Sequence, residues 1–132
     1  MNQAERDELI RAALDAQQRA FCPYSRFPVG AAIRAVSGKI VQGVNVENVS
    51  FGLTLCAERV AAAAAVAAGD RDFAAIAIVS RGGVAPCGAC RQFLAEFNPR
   101  MSVVMVDSER PTEIRQSTLD VLLPSRFEGP IA

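Results

Sequence analysis

Residues 86–92 read "PCGACRQ", and two cysteines three positions apart admit three chemistries. They could form a redox dithiol, supply half of a zinc site, or stay buried and unreactive. The choice rests on which other groups can join Cys87 and Cys90. Cys56 opens a second helical stretch in "LCAERV", as Cys87 opens one in "PCGACR". Partial positive charge and unpaired amide donors at a helix N-terminus favour thiolate over thiol. Cys87 and Cys90, at i and i+3, share one helical face and can reach one ion. Two helix starts meeting at their N-terminal ends would gather three thiolates around one metal. Zinc suits that set: it is tetrahedral, accepts sulfur, and with three protein ligands keeps one position open for water.

The chain contains no histidine, so a fourth protein ligand would have to be Cys22 or a carboxylate. Cys22 lies in a loop without a cysteine partner at ligand spacing and reads as a small packed or partly exposed thiol. Glu58 follows Cys56 by two residues, and on a regular helix such neighbours point apart. Both can face the metal only if Cys56 precedes the regular turns and Glu58 lies in the first one. There the carboxylate could hold water and move its proton. Without the cysteines, Glu58 would be an ordinary first-turn acid favoured by the helix dipole. Three thiolates and a divalent cation leave a net negative centre, which acidifies water less than neutral ligands do. Arg59 and Arg91 each directly follow a key residue and could offset that charge; Arg59 is the expected thiolate partner. A solvated surface charge is the alternative for both.

The elements that must position these groups are legible from pattern. Asn2 can cap a helix whose apolar stripe is Leu9, Ile10, Ala13, Leu14 and Ala20, ending before "CPYSRFP". "VGAAIRAV" and "KIVQGVNVEN" read as strands joined in a hairpin at Ser37-Gly38. "CAERVAAAAAVAAG" has strong helix propensity and stops at Gly69; "CGACRQFLAEF" is a second helix, ending at Asn98-Pro99. "FAAIAIVS" and "MSVVMVD" read as buried strands, and "STLDVLLP" as a short helix closed by Pro124. Alternating strands and helices predict an α/β fold, one sheet with helices on both faces.

Length and composition set the outer bounds. A chain of 132 residues is the size of one domain, with 51% hydrophobic and 21% charged residues, so it reads as globular. Fourteen basic residues balance fourteen acidic ones without a basic run, which argues against a long nucleic acid as partner. "MNQAERDELIRAALDAQQRAF" has no uninterrupted apolar stretch and does not read as a signal peptide. "VAAAAAVAAG" is too short and too weakly apolar to span a bilayer. Four cysteines in such a chain are expected as reduced thiols in the cytoplasm.

Cys-Ala-Glu followed by Pro-Cys-x-x-Cys resembles the signature of the zinc nucleoside and nucleobase deaminases, in its all-cysteine form. The chain is similar to the small homotetrameric cytidine deaminases through "CPYSRFPVGAA", "NVENVSFGLTLCAER", "PCGACRQ" and "LLPSRF", nearly its whole length. The resemblance implies a single domain over residues 1–132, a three-layer α/β/α sandwich around a mixed sheet of about five strands. It implies one zinc per subunit and hydrolytic deamination of cytidine and deoxycytidine in pyrimidine salvage. Hydroxide held by zinc would attack C4, with Glu58 as acid and base. Asn45 and Glu47 would bind the ribose hydroxyls, which suits an amide and a carboxylate on alternate residues of a strand. Phe27 would pack on the base and the backbone around Ala57 would read its polar edge. Phe51 and Phe127 fall where the family places residues reaching a neighbouring subunit's site; position 51 is commonly tyrosine, so a hydroxyl is missing here.

Each of these has a plainer structural alternative: a polar strand end for Asn45 and Glu47, core or interface packing for the three phenylalanines. The rival functions are also distinct. A deaminase of blasticidin-type aminonucleosides would share the chemistry but have no use for a ribose-binding pair. A structural zinc module would need a fourth ligand and no Glu58. A redox protein would leave Cys56 and Glu58 idle.

Overall fold

Helix α1 (Gln3–Gln17) begins at the expected cap. Asn2 Oδ1 accepts from the Glu5 N–H at 2.8 Å, and Glu5 Oε1 accepts from the Asn2 N–H at 2.9 Å, closing a capping box. Leu9, Ile10 and Ala13 are buried, but the helix stops at Gln17, so Ala20 lies beyond it rather than on its stripe. The computed structural model describes residues 1–130; the last two residues of the expected 1–132 domain lie outside the described residues.

Strands β1 (Gly30–Ala35) and β2 (Ile40–Val44) form the antiparallel hairpin, turning through Gly38 at a φ of 95° that glycine adopts without steric cost. Then follow α2 (Ala57–Ala67), β3 (Phe73–Ser80), α3 (Gly88–Ala95), β4 (Ser102–Asp107), β5 (Arg110–Thr118) and α4 (Leu119–Leu122). The sheet runs in the order β2-β1-β3-β4-β5. β3 and β4 are parallel, while the other three neighbouring pairs are antiparallel.

The period of two along the central strands divides the core in two. Ala31, Ile33, Ile76, Ile78, Val103 and Met105 face α2 and α3, where Ala61, Ala65 and Leu94 meet them. Ala32, Ala75, Ala77, Val79, Val104 and Val106 face the other way, onto Leu9, Ile10 and Ala13 of α1. The α/β/α sandwich and the mixed sheet of five strands are thus as expected. Small residues set the spacing of the layers. A Cβ at Gly43 would collide with Ala57 O and Ala61 N, so β2 carries the first turns of α2 directly against its backbone. The alanine block lets α2 come that close. Gly69, at φ 99°, ends α2 as a Schellman cap, with the Asp70 N–H donating to Ala65 O and the Gly69 N–H to Val66 O.

Several boundaries differ from expectation: β2 ends at Val44, so Asn45 and Glu47 follow the strand rather than alternate along it. The position of the fifth strand, β5, was not legible from pattern, and Ser117 and Thr118 belong to it rather than to the short terminal helix. An edge strand pairs through its backbone and needs no apolar face; of "RPTEIRQST" only Ile114 is apolar, so no alternation marks it. Helix α3 ends at Ala95, before the expected stop at Asn98-Pro99.

Candidate metal centre

Cys56 and Cys87 are the N-cap residues of α2 and α3, both with extended backbone (φ −74°, ψ 149° and φ −68°, ψ 167°). This lets Cys56 and Glu58 serve one site although only Ala57 separates them: Cys56 precedes the helical turns, and Glu58 lies in the first. Cys90, fully buried, completes the group from the first turn of α3. The Cys56 and Cys87 sulfurs are 4.0 Å apart, those of Cys87 and Cys90 3.4 Å, and all three lie within 4.8 Å of one another. Thiolates about 2.3 Å from one tetrahedral ion stand roughly 3.8 Å apart, so the three residues fit zinc. Cys22 is a free thiol outside this group.

The electrostatics of the group fit a metal as well. Without an ion, the Cys90 thiol, which keeps its proton, and the Arg59 guanidinium, 3.5 Å from the Cys56 sulfur, both favour a thiolate at Cys56. Those two partners pull the Cys56 thiol down to about 5, while the neighbouring Cys56 and burial drive Cys90 upward. A divalent cation would take the place of that proton. Glu58 is 5% exposed, and its carboxyl is held above the usual range chiefly by burial and further by the Cys56 charge. A carboxyl so placed holds its proton more tightly than an exposed one. Arg91 does not face the thiols. Its Nε donates to Pro86 O at 2.8 Å and its Nη1 to Leu122 O at 2.7 Å, tying the segment before Cys87 to α4.

A cavity of about 200 Å³ opens on the centre, lined by Cys56, Cys87, Ala57, Glu58 and Asn45 together with Val29, Thr54 and Val84. Thr54 also borders a neighbouring hollow of about 380 Å³, whose other walls are Tyr24, Ser25, Glu47 and Phe51. Asn45 and Glu47 are therefore divided between adjoining spaces. Both also grip the loop before β1. Asn45 Nδ2 donates to Phe27 O and Asn45 Oδ1 accepts from the Val29 N–H, each at 2.9 Å. Glu47 accepts from the Tyr24 and Ser25 N–H groups at 3.0 and 3.1 Å and from the Ser25 hydroxyl.

Phe27 is half-buried, with the Arg81 guanidinium carbon 5.4 Å from its ring centroid, and is not among the residues lining either space. Phe51, 72% exposed, stands edge-on to Tyr24. Phe127, 74% exposed, lies elsewhere, its backbone clamped by both ends of the Gln92 amide. Thr54 and Ser25 escaped the sequence reading. Thr54 stands two residues before Cys56, on the same extended approach, and that spacing was the available signal.

A three-layer sandwich with three thiols drawn from two helix starts, beside a buried glutamate, is the architecture of the zinc-dependent deaminases. The family model of the "cytidine and deoxycytidylate deaminase zinc-binding region" matches residues 3–106, and the chain belongs to that family. It is 48% identical over 130 residues to a probable cytidine deaminase of Dictyostelium discoideum, covering 96% of this chain and 86% of that protein. The crystal structure of a cytidine deaminase from Burkholderia pseudomallei superposes with a TM-score of 0.88 at 45% identity, over 96% of this chain and all of that one. A blasticidin-S deaminase of Bacillus cereus is more distant, 32% identical over 109 residues, covering 75% of this chain and 76% of that protein. Zinc is the family's metal, and the thiol group here fits it.

Proposed function

We propose that this chain is a zinc-dependent cytidine deaminase, which hydrolyses cytidine and deoxycytidine to the corresponding uridines and ammonia. The observation that carries the reading is the buried Glu58 carboxyl on the cavity shared with Cys56 and Cys87. Cys56, Cys87 and Cys90 would hold the ion. Zinc, when bound, makes water a competent nucleophile near neutral pH.

Glu58 removes the water proton as oxygen adds to C4 of the pyrimidine and delivers it to N3, so negative charge does not build on the ring. It then assists protonation of the departing amine. One water enters, and one ammonia leaves. The raised proton affinity of Glu58 suits a group that must both accept and give back a proton. In this reading the main chain at Ala57 meets the polar edge of the base, supported by its position first in α2 and on the cavity wall.

Asn45 and Glu47 bind the sugar hydroxyls in this reading, with the nucleoside crossing Thr54 from one space to the next. Phe27 packs on the base. Phe51 and Phe127 reach a neighbouring subunit's site in a homotetramer, which fits rings left mostly exposed on one subunit. Residues 1–132 form one deaminase domain, acting in cytoplasmic pyrimidine salvage. Among the described residues no helix is long and apolar enough to cross a membrane.

Ammonia release from cytidine, deoxycytidine and blasticidin S by the zinc-loaded protein tests the assignment. Turnover of the two cytidines well above that of blasticidin S is expected. The reverse order would move the protein to the aminonucleoside deaminases.

A further inference from the structure

Both main-chain polar groups of Phe27 are tied to the residues assigned to the sugar, the carbonyl directly to Asn45 and the N–H through Ser25 to Glu47. Asn45 Nδ2 donates to Phe27 O at 2.9 Å. On the other side the Phe27 N–H donates to Ser25 Oγ at 3.0 Å, and the Ser25 hydroxyl donates in turn to Glu47 Oε2. The direction is fixed, since an ionised carboxylate only accepts and an amide N–H only donates. Arg26, between Ser25 and Phe27, has a φ of 55°, a left-handed backbone that a non-glycine residue keeps only where its surroundings hold it.

Glu47 Oε1 takes the Tyr24 and Ser25 amides, while Oε2 takes the Ser25 hydroxyl. A carboxylate offers about four acceptor positions, so Oε2 keeps one for a sugar hydroxyl. Ser25 and the sugar would then share one oxygen.

We infer that Ser25 is a positioning residue that links sugar recognition by Glu47 to the placement of Phe27 against the base. Its hydroxyl aims Glu47 Oε2 and anchors the Phe27 backbone at the same time. A nucleoside whose sugar engages Glu47 thereby finds the base platform already set. The inference rests on the assignment of Glu47 to the sugar and of Phe27 to the base.

Steady-state kinetics of zinc-loaded Ser25→Ala and Ser25→Thr, on cytidine and 2′,3′-dideoxycytidine, test it. Loss of a charge-assisted hydrogen bond should raise the KM of Ser25→Ala for cytidine about tenfold. For dideoxycytidine, with no hydroxyl for Glu47, only the loosened Phe27 contributes, so the rise should be smaller, about threefold, and kcat should change little for either. Ser25→Thr, which keeps the hydroxyl, should recover most of the loss. An equal rise on both substrates, a rise confined to cytidine, or a loss confined to kcat would overturn the link. No change at all would overturn it too. A wild type that treats the two substrates alike removes the sugar assignment beneath the proposal, and this shows before any variant is made.

Discussion

The sulfurs of Cys56 and Cys87 lie 4.0 Å apart, although 31 positions of sequence separate them. Each is the residue on which a helix starts, and both helices pack on the same face of the sheet. The site is therefore the meeting of two helix N-termini. Unpaired amides and the positive ends of two dipoles face the thiolates, and Glu58 hangs from the first turn of one of those helices. Anything that shifts α2 along β2 should shift the ligand and the acid together.

Gly43→Ala tests that dependence. The added methyl meets the backbone at Ala57 O and Ala61 N, which cannot rotate away as a side chain could. Overpacking of this kind costs about 1–3 kcal/mol. Thermal unfolding of the zinc-loaded variant should show a melting temperature lower by roughly 4 °C or more. Zinc retention under a chelator should fall with it, because Cys56 caps the displaced helix. A variant as stable as the wild type would mean that α2 can slide without consequence.

Arg59 faces the Cys56 sulfur at 3.5 Å and should offset part of the centre's negative charge. Replacing it by glutamine should cost about 10–100-fold in zinc affinity or activity, as for other groups that support metal ligands. Arg59→Lys keeps the charge and should recover part of the loss. Competition with a chromophoric chelator measures it. Arg91→Gln should leave zinc affinity closer to wild type, since its guanidinium holds Pro86 and Leu122 carbonyls.

The zinc-free protein should have an unusually acidic thiol. Cys56 lies beside the Cys90 thiol and faces Arg59, so its pKa falls from 9.0 to about 5. A depressed pKa means that the thiolate, the form that reacts, persists as pH falls. Under reducing conditions, iodoacetamide labelling followed by peptide mass spectrometry should find Cys56 reactive from about pH 5 upward. Labelling that begins only near pH 9 would contradict the arrangement. In Arg59→Gln the onset should move upward.

The chemistry was easier to read in the sequence than its surroundings, for physical reasons. Cys87 and Cys90 sit within one turn, and helix geometry alone puts them together. Cys56 and Glu58 could be placed because a helix start leaves its mark in sequence. Pairing of β5 with β4 could not, since an exposed edge strand draws on a neighbour's backbone and its own residues carry no apolar alternation. The hold of Asn45 and Glu47 on residues 24–29 was equally hidden. Such bonds join segments of different elements, and residue type reveals only that the two side chains can accept or donate.

In the proposed reaction Glu58 moves the protons of hydrolysis beside a zinc held by Cys56, Cys87 and Cys90. The most direct measurement is cytidine turnover and zinc content on the same preparations of wild type and Glu58→Gln. A full complement of zinc is expected in both, with a fall in kcat of about 10²–10⁴ in the variant, the range for loss of a general acid and base. A zinc-loaded Glu58→Gln that turns over cytidine at the wild-type rate would contradict that role for Glu58.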